Sequence, residues 1–500
     1  MEFKLKKQIQ VLLIHLTDTY FIQEVKAGSK IELPGFARIG SLIDTVKASN
    51  NKTLILHSGD FLFPSFMSKF FHGKQMIDMF NACGFDYITL GNHDFDGGIS
   101  VLKKRLIEAK FKTILTNLKP PKNFPTKCPS HELWPKRKPI LALVGIAGTS
   151  TQRAAKENGF FPQEVFDSLK KKIKFLKNKY PQINNLVVLS HMSDFEDKTL
   201  RKWLSENWSG ISYIFGGHDH KSLVSCQAKT ANSILIKSQS NARNVRLYPI
   251  LKTNTNKPKK TKTLTVELKN NLITINSKDF RNFPPSKKIQ KKIQNWETLL
   301  QKISPEKPEI IRTFPPKISF DATELSLRNG TTDFGNFIAD CLCEATKSDI
   351  ALINSGHFRG DRKLSNLIRT SDLRRIFVMD DPGSIIKVKL SPKECRLLLL
   401  HGFKELGKGR ILQISKNATS LIKKSKTNLS VVLMADMIFT DDDGFAKILA
   451  NQRTCSVTQL REHMKKFRIN QTILDLVKKQ AKFVKYDSSK RFSIKKASNF

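Results

Sequence analysis

Short apolar runs alternate with stretches of helical periodicity along the N-terminal half of the chain. The runs Ile9–Leu16, Thr53–Leu56 and Asn185–Ser190 are short and continuous, which predicts buried strands. Apolar residues at helical spacing predict helices over Ile39–Ala48 and Gln163–Lys179. The same reading predicts strands over Tyr87–Leu90, Lys112–Thr116, Pro139–Gly145 and Ile211–Phe215, helices over Phe70–Phe80 and Ile99–Lys110, and a proline-rich loop over Lys119–Lys138. Strands that alternate with helices predict an α/β sheet covered by helices.

The pattern breaks in the middle of the chain. Helical periodicity over Lys287–Ile303 is followed by a cluster of prolines, which is typical of a linker. Because 500 residues exceed one ordinary core, we predict two domains, residues 1–285 and 321–490, joined by a helical, proline-rich linker over residues 286–320. Elsewhere the patterns predict a hairpin of Leu247–Lys252 with Thr263–Leu268, helices over Phe334–Thr346, Ser371–Ile376 and Lys393–His401, and strands over Ile350–Asn354, Ser384–Leu390 and Ser430–Asp436.

Polar side chains follow the predicted strands of the N-terminal domain at the points where the strands end. They are Asp18, Asp60, Asn92 with His93, His191, and His218 with His220. Loops at the carboxyl ends of strands are where open α/β sheets place their sites. Carboxylate, amide and imidazole donors in this mixture suit a pair of divalent transition metals, with Asp60 as the bridging carboxylate. Two such metals would clamp a phosphoryl group and activate a water for in-line attack.

The stretch Leu90–Asp96 is the centre of this pattern. His93 can give a proton, and Asp96 can hold its imidazole in one orientation and favour the charged form. A single histidine after a strand is more often structural, since histidine is commonly only partly buried. Several such elements in the same setting favour one common site.

These motifs resemble those of a known family. In chain order, Asp18, Gly59-Asp60, Gly91-Asn92-His93-Asp94, His191 and Gly217-His218-Asp219-His220 resemble the motifs of the calcineurin-like metallophosphoesterases. The Phe95-Asp96 extension and a second domain after a helical linker make the chain similar to the 5′-nucleotidase family. Arg328 with Gly335-Asn336 and Asp340, the loop Asn354–Arg359, and Asp443-Gly444-Phe445 resemble that family's C-terminal motifs. The resemblance covers residues 8–485.

The resemblance implies a fold and a division of roles. The fold would be a four-layer αββα metallophosphoesterase domain, followed by a smaller mixed α/β domain that binds substrate. Asp18, Asp60 and His220 would bind one divalent metal ion and Asp60, Asn92, His191 and His218 a second, with Mn, Zn, Fe or Co as the metal. His93 would stabilise or protonate the reacting group, oriented by Asp96. Substrate contacts would come from Arg328, Asn354, Arg359, Phe377 and Asp443, with Phe377 stacking on a base.

Three features depart from the family pattern. The usual Asp-x-His reads Asp18-Thr19-Tyr20, so a phenol stands where a histidine ligand is expected. The second aromatic residue of the base clamp corresponds by spacing to Met437, which predicts no sandwich of two rings. Ser355 and His357 stand in one glycine-rich turn, and Asp441 and Asp442 replace the two glycines of another, where added carboxylates would repel a phosphate. These changes bear on substrate specificity more than on fold or reaction type.

Charge and cysteine content bear on partners and compartment. The formal net charge is +42, but the lysines are spread from end to end without interleaved aromatic residues. We therefore expect no specific nucleic-acid binding, only non-specific attraction to polyanions. The seven cysteines are scattered and odd in number, which favours a reducing compartment. The first apolar segment is too short for a signal peptide, and no segment approaches a membrane span, so we expect a cytoplasmic protein.

Three functions remain open, of which the first is favoured. It is a dimetal phosphohydrolase that removes phosphate from nucleoside monophosphates, that is, a 5′-nucleotidase. The second keeps the metals but acts on a sugar phosphate or a cyclic or dinucleotide phosphodiester, an alternative motivated by Met437 and the altered turns. The third is a metal-poor relative that binds ligand or polyanion without turnover, an alternative motivated by Tyr20 and the charge. Rates that depend on the base separate the first from the second, and undetectable metal indicates the third.

Overall fold

A computed structural model describes residues 9–27, 29–124, 128–226, 232–251, 271–304, 309–315, 320–404, 406–440 and 443–484. Contacts between residues divide the chain into two compact units, Met1–Ser304 and Pro305–Phe500. The dividing point lies inside the segment predicted as a linker. The predicted strand Thr263–Leu268, and Asp441 with Asp442, lie outside the described residues.

The N-terminal unit is built on two six-stranded sheets. Its strands are β1 Ile9–Leu16, β2 Val25–Ala27, β3 Lys30–Leu33, β4 Thr53–His57, β5 Tyr87–Ile88, β6 Lys112–Thr113, β7 Leu118–Lys119, β8 Glu132–Trp134, β9 Leu141–Ala147, β10 Phe161–Pro162, β11 Asn185–His191, β12 Ile211–Gly216, β13 Leu223–Cys226, β14 Ser233–Lys237, β15 Asn244–Leu251 and β16 Ile273–Asn276. One sheet has the order β16-β15-β1-β4-β5-β6 and the other β13-β14-β12-β11-β9-β8. The inner strands of each run parallel.

Helices cover the outer face of each sheet. They are α1 Gly35–Ser49, α2 Phe66–Phe71, α3 Lys74–Cys83, α4 Gly98–Glu108, α5 Thr149–Glu157, α6 Val165–Lys179, α7 Asp194–Asn207 and α8 Lys287–Ile303, with 3-10 turns at His93–Phe95, Ser240–Ala242 and Ser277–Asn282. Successive strand residues face opposite ways. Leu12 and Ile14 of β1 therefore pack against helices, whereas Val11 and Leu13 pack against Leu143 and other residues of the second sheet. The resulting αββα layers confirm the predicted fold class.

Two local predictions failed, one because residues with positive φ break a helix and one because a short strand pairs with a neighbouring strand. The helix predicted over Phe70–Phe80 is broken by His72 and Gly73, which have φ of 48° and 76°. The segment predicted as a proline-rich loop contains β8, which pairs with β9. Helices α5 and α7 were not predicted. The helix predicted as part of the linker, α8, packs on the N-terminal unit, where its Lys292 and Trp296 both bond to Asp78.

The centre of the helix layer over the first sheet is aromatic. Phe80 is 0% exposed and its ring contacts those of Phe61 and Phe85 at centroid distances of 4.9 and 4.2 Å. Phe80→Ala is expected to lower the free energy of unfolding by about 3–5 kcal/mol, because the packed core cannot close over the cavity. Tryptophan fluorescence in urea measures this change, since all four tryptophans lie in the N-terminal unit.

The matched control is Phe161→Ala, because the Phe161 side chain is 64% exposed. Its effect is expected to stay within about 0.5 kcal/mol. Equal effects of the two substitutions would contradict the packing described for Phe80.

The C-terminal unit is a smaller α/β body around a four-stranded sheet of order β22-β24-β19-β23. Its strands are β17 Ile310–Thr313, β18 Phe320–Ala322, β19 Ile350–Asn354, β20 Arg362–Leu364, β21 Leu367–Arg369, β22 Ile385–Leu390, β23 Leu412–Ile414 and β24 Leu429–Met434. Its helices are α9 Glu324–Leu327, α10 Asp333–Thr346, α11 Thr370–Ile376, α12 Pro392–Phe403, α13 Ala418–Lys424, α14 Asp436–Phe439, α15 Phe445–Gln452, α16 Val457–Lys465 and α17 Ile473–Gln480, with a 3-10 turn at Ser355–His357. Among the helices of the described residues, none has the length and apolarity needed to cross a membrane.

Candidate functional site

Five strands of the N-terminal unit end beside one another and carry the predicted ligands. In the first sheet, β1 leads into Asp18, β4 into Asp60 and β5 into Asn92. In the second sheet, β11 ends at His191 and β12 leads into His218 and His220. The parallel register of the inner strands aligns their carboxyl ends, so residues far apart in sequence meet at one edge of the two sheets.

The six predicted ligands are linked by short contacts. Ligand atoms of Asp18, Asp60 and His191 all lie within 4.8 Å of one another. The Nε2 atom of His191 is 3.3 Å from Oδ2 of Asp60, and Nε2 of His220 is 3.3 Å from Oδ1 of Asp18. The two remaining residues contact each other: Nδ1 of His218 is 3.2 Å from Oδ1 of Asn92. The sequence prediction that these residues form one cluster therefore agrees with their positions.

Four of these six residues have a strained backbone. Asp18, Asp60, His218 and His220 have φ of 49°, 58°, 80° and 59°, a region that residues other than glycine rarely adopt. Such conformations persist where the surroundings over-determine them, and they concentrate at functional sites. The strain at these positions is therefore an indication of function that does not depend on the motifs.

The cluster has the chemistry of a cation site. Asp18 and Asp60 are 0% and 1% exposed. Burial by itself would raise the pKa of Asp18, but the neighbouring His220 holds it at about 2, so this carboxylate stays charged. Burial opposes the charged form of His191, yet Asp60 raises its pKa to about 10. Buried carboxylates need a compensating positive charge, and oxygen and imidazole donors together fit divalent transition metals.

His93 lies beside this cluster and is partly exposed. Its Nδ1 atom is 2.8 Å from Oδ2 of Asp96, as the spacing predicted. Its backbone N–H donates to Oδ1 of Asp60 at 2.8 Å. The side chains of His93 and Asp96 are 18% and 37% exposed, against 2% for Asp60. A histidine that is oriented by a carboxylate at the rim of a buried cation site can exchange a proton with a bound molecule.

Tyr20 reaches the centre of the cluster. Its hydroxyl group is 3.4 Å from Oδ1 of Asp18 and 3.3 Å from Oδ2 of Asp60. It is also 3.0 Å from Nε2 of His220. The phenol that replaces the expected histidine is therefore within contact distance of all three residues predicted to bind the first metal.

Asp94 organises the site without having been assigned a role from the sequence. Its carboxylate accepts backbone N–H groups from Asp60 and Gly91 at 2.9 and 2.8 Å, and from Phe61 and Leu62 at 2.9 Å each. It thereby joins the loops after β4 and β5, which carry Asp60 and Asn92. The motif places an aspartate here, but only the folded backbone reveals which N–H groups it binds.

The predicted substrate residues lie in the C-terminal unit. Arg328 is 7% exposed and pairs with Glu324 at 2.8 Å. Asn354 donates to Oδ2 of Asp436 at 3.2 Å, and the same carboxylate oxygen is 2.8 Å from Nε2 of His357. The histidine that replaces a glycine of the family motif thus shares a carboxylate with Asn354.

The other predicted substrate residues have different environments. Arg359 is partly exposed, and the carbonyl group of Asp443 accepts from Nε2 of His401 at 2.6 Å. The stacking role predicted for Phe377 is wrong for this conformation. Its ring is 2% exposed and packs in the core against Phe358 at a centroid distance of 5.1 Å, so it presents no open face to a base. Met437 is likewise buried, at 1% exposure.

Comparisons with known proteins agree with the motifs and the fold. A family model described as calcineurin-like phosphoesterase matches residues 12–222, and one described as 5′-nucleotidase, C-terminal domain, matches residues 311–426. The solved structure of a 5′-nucleotidase precursor from Thermus thermophilus is 18% identical with a TM-score of 0.66, and the match covers 92% of this chain and 97% of that chain. At this identity the likeness shows the fold.

Two curated relatives align with a smaller part of the chain. A probable 5′-nucleotidase from Treponema pallidum is 26% identical over 228 residues, or 42% of this chain and 37% of that protein. The 5′-nucleotidase of Homo sapiens is 24% identical over 193 residues, or 37% of this chain and 32% of that protein. These alignments span about a third of each relative's length. The two family models match in order and the strand-end motifs meet in one place: the chain belongs to the calcineurin-like phosphoesterases that carry a 5′-nucleotidase C-terminal domain.

Proposed function

We propose that this protein is a metal-dependent phosphomonoesterase that releases phosphate from nucleoside monophosphates. The observation that carries the proposal is the cluster of six predicted ligands beside the His93–Asp96 pair. Asp18, Asp60, Asn92, His191, His218 and His220 would hold two divalent cations, of which Mn, Zn, Fe and Co fit the donor set. Such cations, when bound, polarise a phosphoryl group and lower the pKa of a coordinated water.

The chain's own residues would divide the remaining work. Asp60 would be a ligand shared by both cations, and its Oδ2 atom is 3.3 Å from the Tyr20 hydroxyl and from Nε2 of His191. Because Nδ1 of His93 is bonded to Asp96, the Nε2 atom would be the one that donates a proton to the departing oxygen. Asp96 holds the ring in one orientation, and a protonated ring at this position would also stabilise charge on the phosphoryl oxygens.

The choice of nucleotide as substrate rests on the 5′-nucleotidase C-terminal domain and on the names of the relatives. Arg328 offers a planar fork for a phosphate or carboxylate group, and Asn354 offers an amide. The burial of Phe377 and Met437 favours a second candidate, a phosphoester without a base, such as a sugar phosphate. In that case the C-terminal residues would recognise hydroxyl and anionic groups.

Phosphate release from AMP, ribose 5-phosphate and an aryl phosphate, with added Mn²⁺, separates these possibilities. Nucleotidase action requires that AMP be hydrolysed fastest and that EDTA abolish turnover. Equal rates with AMP and ribose 5-phosphate would favour the second candidate. No turnover with any divalent metal would contradict both, and would favour a relative that binds ligand without catalysis.

Metal affinity is expected to increase with pH. His191 has a pKa raised to about 10, so near neutral pH its ring carries a proton that a metal must displace. Asp18, with a pKa of about 2, stays ionised throughout and contributes no such dependence. The dissociation constant for Mn²⁺, measured by calorimetry between pH 6 and 8, should therefore fall as the pH rises. An affinity that does not change with pH would contradict this assignment of His191.

We also propose a cytoplasmic location, on the basis of the cysteines. All seven lie in the described part of the chain and none is in a disulfide, which suits a reducing compartment. Fractionation of cells that express the tagged chain tests this, and recovery outside the cytoplasm would contradict it.

A further inference from the structure

A buried lysine lies behind the candidate metal site and has no part in the function proposed above. Lys237 ends β14, and its side chain is 1% exposed. Four oxygens surround its Nζ atom: the carbonyl of Met192 at 2.9 Å, and carboxylate oxygens of Asp194, Asp197 and Asp219 at 3.0 Å each. An ammonium group has three protons, so at least one of the four oxygens is held by charge rather than by a directed hydrogen bond.

These oxygens belong to the segments that carry three predicted metal ligands. Met192 directly follows His191 at the end of β11. Asp219 separates His218 from His220 in the loop after β12. One ammonium group therefore joins the ends of β11, β12 and β14, which are three neighbouring strands of the second sheet.

The first turn of α7 completes the connection. Asp194 and Asp197 both lie in this turn. The backbone N–H of Asp194 donates to Oδ2 of Asp219 at 2.5 Å, and the hydroxyl of Ser190, in β11, donates to Asp197 at 2.6 Å. The start of α7, the end of β11 and the loop of His218, Asp219 and His220 (the histidine loop) are thus all held around the ammonium group of Lys237.

The histidine loop needs this support because its backbone is strained. His218 and His220 have φ of 80° and 59°. Residues other than glycine stay in this region only when the surrounding contacts over-determine the backbone. The carboxylate of Asp219, held by Lys237 and by the start of α7, is a fixed point between the two strained residues.

We propose that Lys237 is a positioning residue of the metal site, which fixes His191, His218 and His220 by anchoring the segments on either side of them. The inference rests on the metal site proposed above. The charge of Lys237 matters because a neutral side chain would leave the buried carboxylates of Asp197 and Asp219, and the partly buried one of Asp194, without compensation. Gly216, opposite Lys237 in β12, leaves the room required: a Cβ atom there would lie 2.6 Å from Oδ2 of Asp197 and 3.1 Å from Cε of Lys237.

The test compares Mn²⁺ binding to the wild-type chain, Lys237→Met and a matched control, by calorimetry on metal-free protein. Lys237→Met keeps a long apolar stem and removes the charge. We expect Mn²⁺ affinity to fall about 10–100-fold, the usual cost of losing a group that orients metal ligands. The control is Arg105→Met: Arg105 is another buried cation of the same unit, 4% exposed and paired with Glu108 on α4. It should lower thermal stability but change Mn²⁺ affinity by no more than about twofold.

Two further variants keep the test decisive if Lys237→Met does not fold. Asp219→Asn preserves size and weakens the anchor, so Mn²⁺ affinity should fall in the same direction. Lys237→Arg keeps the charge and should bind Mn²⁺ more tightly than Lys237→Met. Wild-type affinity in a folded Lys237→Met or in Asp219→Asn would overturn the positioning role alone. A wild-type chain that binds no Mn²⁺ would overturn the metal site as well, so the two failures are distinguishable.

Discussion

Replacing His93 with alanine is expected to lower the rate of phosphate release at least about a hundredfold, the lower bound for losing a general acid. The physical reason is the pairing of His93 with Asp96 at 2.8 Å at the rim of the ligand cluster, where a proton can be passed to a departing oxygen. Because the hydrogen bond from His93 to Asp60 comes from the backbone N–H, which alanine keeps, Mn²⁺ binding should remain close to that of the wild type. The measurement is kcat for AMP at saturating Mn²⁺, with Mn²⁺ affinity measured in parallel.

Two comparisons sharpen this prediction. Asp96→Asn keeps the hydrogen-bond geometry but removes the charge, so its loss of rate should be smaller than that of His93→Ala. An aryl phosphate has a leaving group that needs no proton, so His93→Ala should slow its hydrolysis less than that of AMP. An equal loss with both substrates would indicate that His93 acts on the phosphoryl charge alone. An unchanged rate with AMP would contradict the assignment.

Replacing Asp60 with asparagine is expected to have the larger effect. Asp60 is 1% exposed and contacts Tyr20, His191 and the His93 backbone within 3.3 Å. Asparagine has nearly the same shape but lacks the charge that two cations would share. Bound metal stabilises the transition state by several kcal/mol. Because each step of about 1.4 kcal/mol corresponds to a factor of ten in rate, loss of this stabilisation should lower the rate about a thousandfold. Bound Mn²⁺ per chain, measured by elemental analysis, should also fall.

The matched control is Asp86→Asn. Asp86 precedes β5, at the opposite end of the same strands, and accepts the backbone N–H of Ile55 at 2.8 Å. This substitution also neutralises a carboxylate of the first sheet, but it should leave metal content unchanged. If Asp60→Asn retained the metal content and rate of the wild type, Asp60 could not be the bridging residue.

Local patterns in the sequence determined the elements and the composition of the site. The predicted bounds of the helix Lys287–Ile303 and the strand Ile350–Asn354 are those observed, because hydrophobic periodicity is a property of neighbouring residues. Asp18, Asp60 and His218 were predicted as ligands because polar residues follow apolar strands. That they meet could be expected because parallel strands align their carboxyl ends.

Only the tertiary structure decided what each side chain touches. Phe377 and Met437 match a clamp by spacing, but spacing does not distinguish an aromatic or apolar residue of the core from one that lines a site. Lys237 ends an apolar strand, where a lysine is ordinarily exposed, and its three carboxylates become visible only when the ends of β11 and β12 are brought beside it. Tyr20 meets His220 across 200 positions of sequence. These features depend on contacts between residues far apart in sequence. A local pattern contains no information about such contacts, so only the folded structure decided them.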